Sequence, residues 1–254
     1  MLDELTAISL ANKQEIDPYT ILREYVQIRF LYVFYGIVKP KTFFFKGGTA
    51  LRLAFGSDRF SEDLDFTVTK GVDNPLEYAN KAIQSLGAEI TDISIKPLKT
   101  IAGQSAKISL SGFHKIQPLT IKLDFSLREH VITPQLAAIK TSLPIIGIPL
   151  IDTMSKEEIL AEKIRAITNR KKGRDIYDLW YLLHTNTRIE KSIIEKKLSY
   201  YHERFDSQVF IRVISEWDTK ELYQDIAKFL PRSQRRIITE LPHFIQELLQ
   251  GKCS

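Results

Sequence analysis

The chain has 254 residues, with 36 Lys and Arg against 31 Asp and Glu and a formal net charge of +5. Hydrophobic residues at 44% and charged residues at 26% match ordinary globular usage and exclude a mostly disordered chain. The longest apolar run, Phe30 to Val38, is far short of the ~20 residues that span a bilayer, the N-terminus opens on acid where a signal peptide carries base, and the single cysteine, Cys253, leaves no internal disulfide, Cys-based zinc site or Fe–S centre. The expectation is a reduced, soluble, cytoplasmic protein without a membrane partner, with a small basic excess that permits an acidic one such as RNA.

Residues 2 to 38 read as helical, broken at Asp17-Pro18, where Asp17 can cap and Pro18 fits a first turn. Thr42 to Phe45 is a short buried strand by its aromatic density, ended by Gly47-Gly48. A helix is predicted over Thr49 to Phe55, a strand over Leu64 to Val68, and a helix over Leu76 to Leu86, stopped by Gly87. Further strands are predicted near Ile90 to Ile95, Ala106 to Leu110, Leu119 to Phe125 and Ile146 to Leu150. From Asp152 the apolar period becomes 3.6, with helices over Ser155 to Thr168, Arg174 to His184, Ile189 to Tyr200, Ser207 to Trp217, Leu222 to Phe229 and Leu241 to Leu249. The division falls near Leu150: an α/β domain, 1–150, whose residues 1–40 are helical, and a helical domain, 151–254. The fold class is α+β.

The chemistry concentrates in Phe43 to Val68. A strand runs into Gly47-Gly48 and a helix starts at once, so the backbone can approach a ligand and the free N–H groups favour a phosphate. Next comes Asp63-Leu64-Asp65. Residues i and i+2 of a strand share a face, so Asp63, Asp65 and Thr67 point one way while Leu64, Phe66 and Val68 point into the core. Two adjacent carboxylates repel unless a cation joins them, and oxygen ligands select Mg²⁺ or Mn²⁺. Asp124, between Leu123 and Phe125 on a later strand, becomes a third carboxylate if that strand lies beside the first. Three acids can hold two divalent ions in phosphoryl transfer. The plainer alternatives are a solvated acidic face and an Asp124 paired with Lys122 or Arg128.

GGTALR, then RFSEDLDF, then KLDFS resembles the nucleotidyltransferase superfamily that includes DNA polymerase β, and within it the AbiEii family of bacterial toxin–antitoxin and phage-abortive-infection loci. That family's late motif is matched by Glu157-Glu158-Ile159-Leu160-Ala161-Glu162-Lys163 and then Arg174-Asp175-Ile176-Tyr177-Asp178-Leu179-Trp180. The resemblance covers roughly residues 43–183; no motif is matched in 1–42 or 185–254. The linker 49–62 is longer than in the wider superfamily and ordinary for the AbiEii group.

The resemblance implies a nucleotidyltransferase-fold mixed sheet with flanking helices, followed by an all-helical C-terminal bundle. It implies a metal-dependent transfer of NMP from an NTP to an acceptor hydroxyl, with release of pyrophosphate. Asp63, Asp65 and Asp124 would be the catalytic metal ligands, holding two Mg²⁺ or Mn²⁺ ions, with Asp124 orienting or deprotonating the hydroxyl. Gly47, Gly48, Thr49, Arg59, Ser61, Lys163 and Asp175 would serve the nucleotide, the last two from the helical half across a cleft. The implied acceptor is RNA, a tRNA 3′ end, and the implied partner is a separately encoded antitoxin. Two alternatives are an adenylyltransferase acting on a protein hydroxyl and a non-catalytic module that binds NTP or RNA.

Lesser residues carry two readings each. Arg52 could reach phosphate or Asp63, or form an ion pair. Arg170-Lys171-Lys172-Gly173-Arg174, and Arg232 with Arg235 and Arg236, could contact an RNA backbone or simply be solvated. Arg174 and Asp178 are spaced for an i,i+4 pair.

Overall fold

In the computed structural model, which describes residues 2–100, 103–111 and 118–252, the chain opens with helices α1 (Glu4–Lys13) and α2 (Pro18–Ile37). Cys253 lies outside the described residues. Each helix starts on an aspartate cap: Asp3 accepts from the Thr6 N–H at 2.9 Å and Asp17 from the Thr20 N–H at 2.9 Å. Pro18 occupies the first turn of α2, where its missing N–H costs nothing. Among the described residues no helix is long and apolar enough to cross a membrane.

Two compact units divide the chain. One joins everything up to Gly56 with Phe60–Met154; the other joins Ser57–Arg59 with Ser155 onward. The first contains a sheet of strands β1 (Phe43–Lys46), β2 (Asp63–Val68), β3 (Ile93–Leu98), β4 (Gln104–Leu110), β5 (Leu119–Ser126), β6 (Pro134–Ala138) and β7 (Leu150–Met154), with helices α3 (Gly47–Ala50) and α4 (Pro75–Leu86). The strand order is β3-β4-β5-β2-β1-β7-β6. β2 runs parallel to β5 and β1 parallel to β7; the other neighbours are antiparallel, which makes the sheet mixed.

Aromatic side chains glue α2 to one face of this sheet. Phe34 meets Phe43 at 5.0 Å, Phe66 at 5.3 Å and Phe125 at 6.2 Å between ring centroids, and Phe66 stacks on Phe125 at 5.2 Å. All four are buried, and truncating any one to alanine should cost about 3–5 kcal/mol. Because this face takes Phe43, Phe66 and Phe125, the strand period forces Lys46, Asp65 and Asp124 to the other.

The second unit is helical: α5 (Lys156–Asn169), α6 (Gly173–His184), α7 (Lys191–Ser199), α8 (Ser207–Ser215), α9 (Thr219–Ile226) and α10 (Leu241–Lys252). Short 3-10 turns, Ala227–Phe229 and Arg232–Glu240, join the last two helices. Ser155 caps α5, accepting from the Glu158 N–H at 3.2 Å. Ile159, Leu160, Ile164 and Ile167 are buried together. Lys197 on α7 is buried too, with Nζ 2.9 Å from a carboxylate oxygen of both Glu158 and Glu162 on α5.

Several elements depart from the sequence reading. β6 has no counterpart in it, since its outward residues Pro134, Leu136 and Ala138 give no sheet-face signal. The strand predicted over Ile146 to Leu150 is instead β7, Leu150–Met154; Ile146 is 93% exposed, so its apolarity misled. β3 begins at Ile93, three residues after the predicted start. The helix after β1 begins on Gly47 itself and passes into a π turn, Leu51–Phe55. On α6, Tyr177 and Leu182 are buried, while Trp180 is half-buried and stacks on His184 at 5.0 Å.

Candidate nucleotidyl-transfer site

The parallel register of β2 and β5 sets Asp65 opposite Asp124 and Asp63 opposite Lys122. Asp124 therefore stands opposite Asp65 on the neighbouring strand, and it also takes the Lys122 partner that the plainer reading offered. Lys122 Nζ is 2.6 Å from Asp124 Oδ2. The other oxygen, Oδ1, accepts a short hydrogen bond from the Ser105 hydroxyl, since β4 places Ser105 opposite Asp124. Burial alone would lower the Lys122 pKa, but the hydrogen bond to Asp124 and the charges of Asp124, Asp63 and Asp65 hold it above the usual lysine value.

Gly47 binds this face to the turn that follows β1. Its φ of +77° lies in the left-handed region. A Cβ there would overlap the Asp65 Oδ2 and sit 3.2 Å from Asp65 Cγ. Thr49 is buried, and its hydroxyl donates to the Asp63 carbonyl, which fixes the first turn of α3 against β2. Lys46, opposite Asp65 on β1, has its ammonium 3.9 Å from Glu129 Oε2.

The donor set suits a hard divalent cation. It consists of carboxylate oxygens on one sheet face, and the face already attracts a cation in the form of the Lys122 ammonium. Asp124 is engaged by Lys122 and Ser105, and among the described residues no three His, Cys, Asp or Glu side chains close on one point as they stand. Asp63 and Asp65 would hold such an ion, with Asp124 joining through Oδ2 once that oxygen is released.

The helical unit gathers a second polar cluster, entirely from residues near the late motif and the loop before β2. Arg59 is 1% exposed and forks onto Asp178, with Nε 2.7 Å from Oδ1 and Nη2 2.9 Å from Oδ2. Lys163 Nζ lies 2.8 Å from Asp175 Oδ1 and 2.6 Å from Asp178 Oδ2. Arg170 Nε donates to Asp175 Oδ2 at 2.9 Å. Burial would raise the pKa of both aspartates. The charges of Lys163 and Arg170 nevertheless hold Asp175 well below its ordinary value, and those of Arg59 and Lys163 lower Asp178. Asp178 thus pairs with Arg59 and Lys163 rather than serving the i,i+4 pair with Arg174 that the spacing offered. The distant partner, 119 positions away, could not be read from local spacing.

Other candidates resolve individually. Arg52 takes the ion-pair reading: Nε is 2.7 Å from Glu24 Oε2, and the guanidinium lies 3.6 Å from the centroid of the Phe60 ring. The Ser61 carbonyl accepts from Gln27 Nε2 at 3.1 Å. In the basic run after α5, Arg170 is committed to Asp175 and Lys171 pairs with Glu221. Arg232 and Arg236 are exposed on the 3-10 turn before α10. Ser105 was missed by the sequence reading, because its meeting with Asp124 depends on a strand register that no local pattern encodes.

Comparison with known proteins bears on this arrangement. A family model described as nucleotidyl transferase AbiEii toxin, type IV toxin–antitoxin system, matches residues 29–246. The match extends past both ends of the motif-bearing segment. No curated protein matches. Among solved structures, the chain is similar to MenT4, a nucleotidyltransferase toxin from Mycobacterium tuberculosis H37Rv, with a TM-score of 0.66 and 17% identity over 100% of this chain and 94% of that one. It is also similar to JHP933 from Helicobacter pylori, with a TM-score of 0.58 and 19% identity over 93% of this chain and 94% of that one. The structural likenesses agree on the mixed sheet with flanking helices and a helical C-terminal region. With the family match spanning most of its length, the chain belongs to the AbiEii family of nucleotidyltransferase toxins of type IV toxin–antitoxin systems.

Proposed function

We propose that this nucleotidyltransferase moves an NMP from an NTP to the 3′-terminal hydroxyl of a tRNA, using the Asp63, Asp65 and Asp124 face. The observation that carries the proposal is the register: two acids on β2 and one on β5 share one sheet face, beside a glycine on which a Cβ would overlap the Asp65 carboxylate. Gly47, Gly48 and Thr49 are assigned to the phosphates, whose negative charge suits the backbone N–H groups at the start of α3. Divalent cations, when bound to the three carboxylates, supply charge neutralisation at the phosphate under attack. Asp124 is assigned to orienting the acceptor hydroxyl or taking its proton. Lys163, Arg59, Ser61 and Asp175 complete the nucleotide assignment. Lys163 reaches a phosphate by exchanging one of its two aspartate partners for it, and Asp175 then keeps the remaining ion pair. The separately encoded antitoxin that the family implies is the partner.

The test is incubation of the purified protein with each labelled NTP, Mg²⁺ and either total tRNA or a protein extract, with Asp65→Ala as control. Label on tRNA, absent from the control, is the expected result. Label on protein alone replaces tRNA by a protein hydroxyl as acceptor. No label on either, with every NTP, overturns the proposal.

A further inference from the structure

The acid face carries a cation of its own. Lys122 and Asp124 are two residues apart on β5, so both side chains leave the sheet on the side of Asp63 and Asp65. With Lys122 opposite Asp63 and Asp124 opposite Asp65, the four make a tile of three acids and one base on β2 and β5, and Lys46 of β1 stands opposite Asp65 on the same face. The two oxygens of Asp124 are used differently. Oδ1 is held by the hydroxyl of Ser105, a buried residue of the neighbouring strand. Oδ2 is held by Lys122, whose side chain is 47% exposed. One contact is part of the sheet; the other sits at the end of a flexible four-carbon stem that can turn into solvent without disturbing the core.

We propose that Lys122 is the resident counter-cation of this tile: its ammonium neutralises the carboxylates, competes with a divalent ion for Asp124 Oδ2, and swings outward when the ion enters, while Ser105 keeps the Asp124 carboxylate aimed. The proposal rests on the metal-dependent reading above. Three carboxylates on adjacent positions repel one another, and an ammonium among them is the cheapest relief the chain can offer. The same ammonium repels an incoming cation. Lys122 therefore stabilises the fold and weakens metal binding at once, and sets the ion concentration at which the site fills.

The experiment measures Mn²⁺ binding by titration calorimetry and by the spectroscopic signal of free Mn²⁺, without nucleotide, for the full chain and its Lys122→Met, Lys122→Arg and Asp65→Ala variants. Lys122→Met should bind Mn²⁺ about ten-fold more tightly than the parent. Lys122→Arg should stay close to the parent, and Asp65→Ala should lose binding. Thermal melts give a second readout. Before Mn²⁺ is added Lys122→Met should melt below the parent, and the gap should close as Mn²⁺ is titrated in; a merely structural lysine would leave the gap constant. If the parent binds Mn²⁺ and Lys122→Met binds it equally or less tightly, the counter-cation proposal is overturned and the metal reading stands. If neither parent nor Lys122→Met binds Mn²⁺, both fall.

Discussion

Gly47 and Asp65 approach so closely that the carboxylate of one occupies the space a Cβ on the other would need. The glycine turn and the acid pair are therefore one device. The left-handed φ of Gly47 lets the chain leave β1 and start α3 directly against the acid face. Gly47→Ala should cost about 1 kcal/mol from the backbone conformation alone, and should also push Asp65 off its position. The expected result is a small drop in melting temperature with a fall in nucleotide transfer of ten-fold or more, as an order-of-magnitude figure. Transfer assays beside thermal melts check it; a change in stability with transfer intact would show that the close approach has no functional weight.

Asp63→Ala and Asp65→Ala should each remove nucleotide transfer, by a factor of about 10²–10³ or more, while the protein stays folded. Removing one acid of a crowded set relieves repulsion, so the melting temperature should hold or rise. Circular dichroism melts and the tRNA-labelling assay decide the matter. Full activity in either variant is incompatible with the assigned site.

The Arg59–Asp178–Lys163 cluster makes the opposite forecast. Here the charges are buried and mutually satisfied, and removing one leaves another unpaired. Asp178→Ala should destabilise the protein by about 3–5 kcal/mol, read as a shift of the urea midpoint. Lys163→Ala should show a comparable loss of stability, and weaker NTP binding on top of it if the ammonium also serves phosphate. Equilibrium binding under conditions where the variant remains folded separates the two effects.

The same cluster sets an acid limit. Burial opposes the charged forms of Asp175 and Asp178, yet the surrounding cations hold both below the ordinary value of 3.8. A depressed folded pKa contributes stability above the unfolded value and loses it as pH falls through the folded one. The contribution is thus complete at neutral pH and begins to disappear below about pH 4, near the aspartate reference value. Asp175→Asn should flatten the fall of unfolding free energy with pH in that range. An acid titration parallel to that of the parent would count against this account.

Local pattern made a good part of this molecule legible. Alternation in Leu64-Asp65-Phe66 and Leu123-Asp124-Phe125 fixed which side chains face the core, and the cap at Asp17 marked a helix start. What stayed hidden depended on long-range register. Nothing near Ser105 announces that it will stand opposite Asp124, and nothing near Arg59 announces Asp178. β6 escaped because an edge strand with Pro134 and exposed Leu136 shows neither clean alternation nor a buried run. The 3-10 turn Arg232–Glu240 escaped because the segment is polar overall, with Ile237 and Ile238 as its only large apolar residues.

The three residues Ser57–Arg59 belong with the helical unit although the chain on both sides of them belongs with the sheet. The consequence concerns dissection of the protein. A fragment beginning at Ser155 would keep every helix of that unit yet leave out Arg59, whose two contacts reach both oxygens of the buried Asp178. Expression of 155–254 alone should therefore yield a poorly folded, protease-sensitive product. A peptide spanning the excised loop, or a circularly permuted chain that retains it, is the form in which the helical half can be studied in isolation.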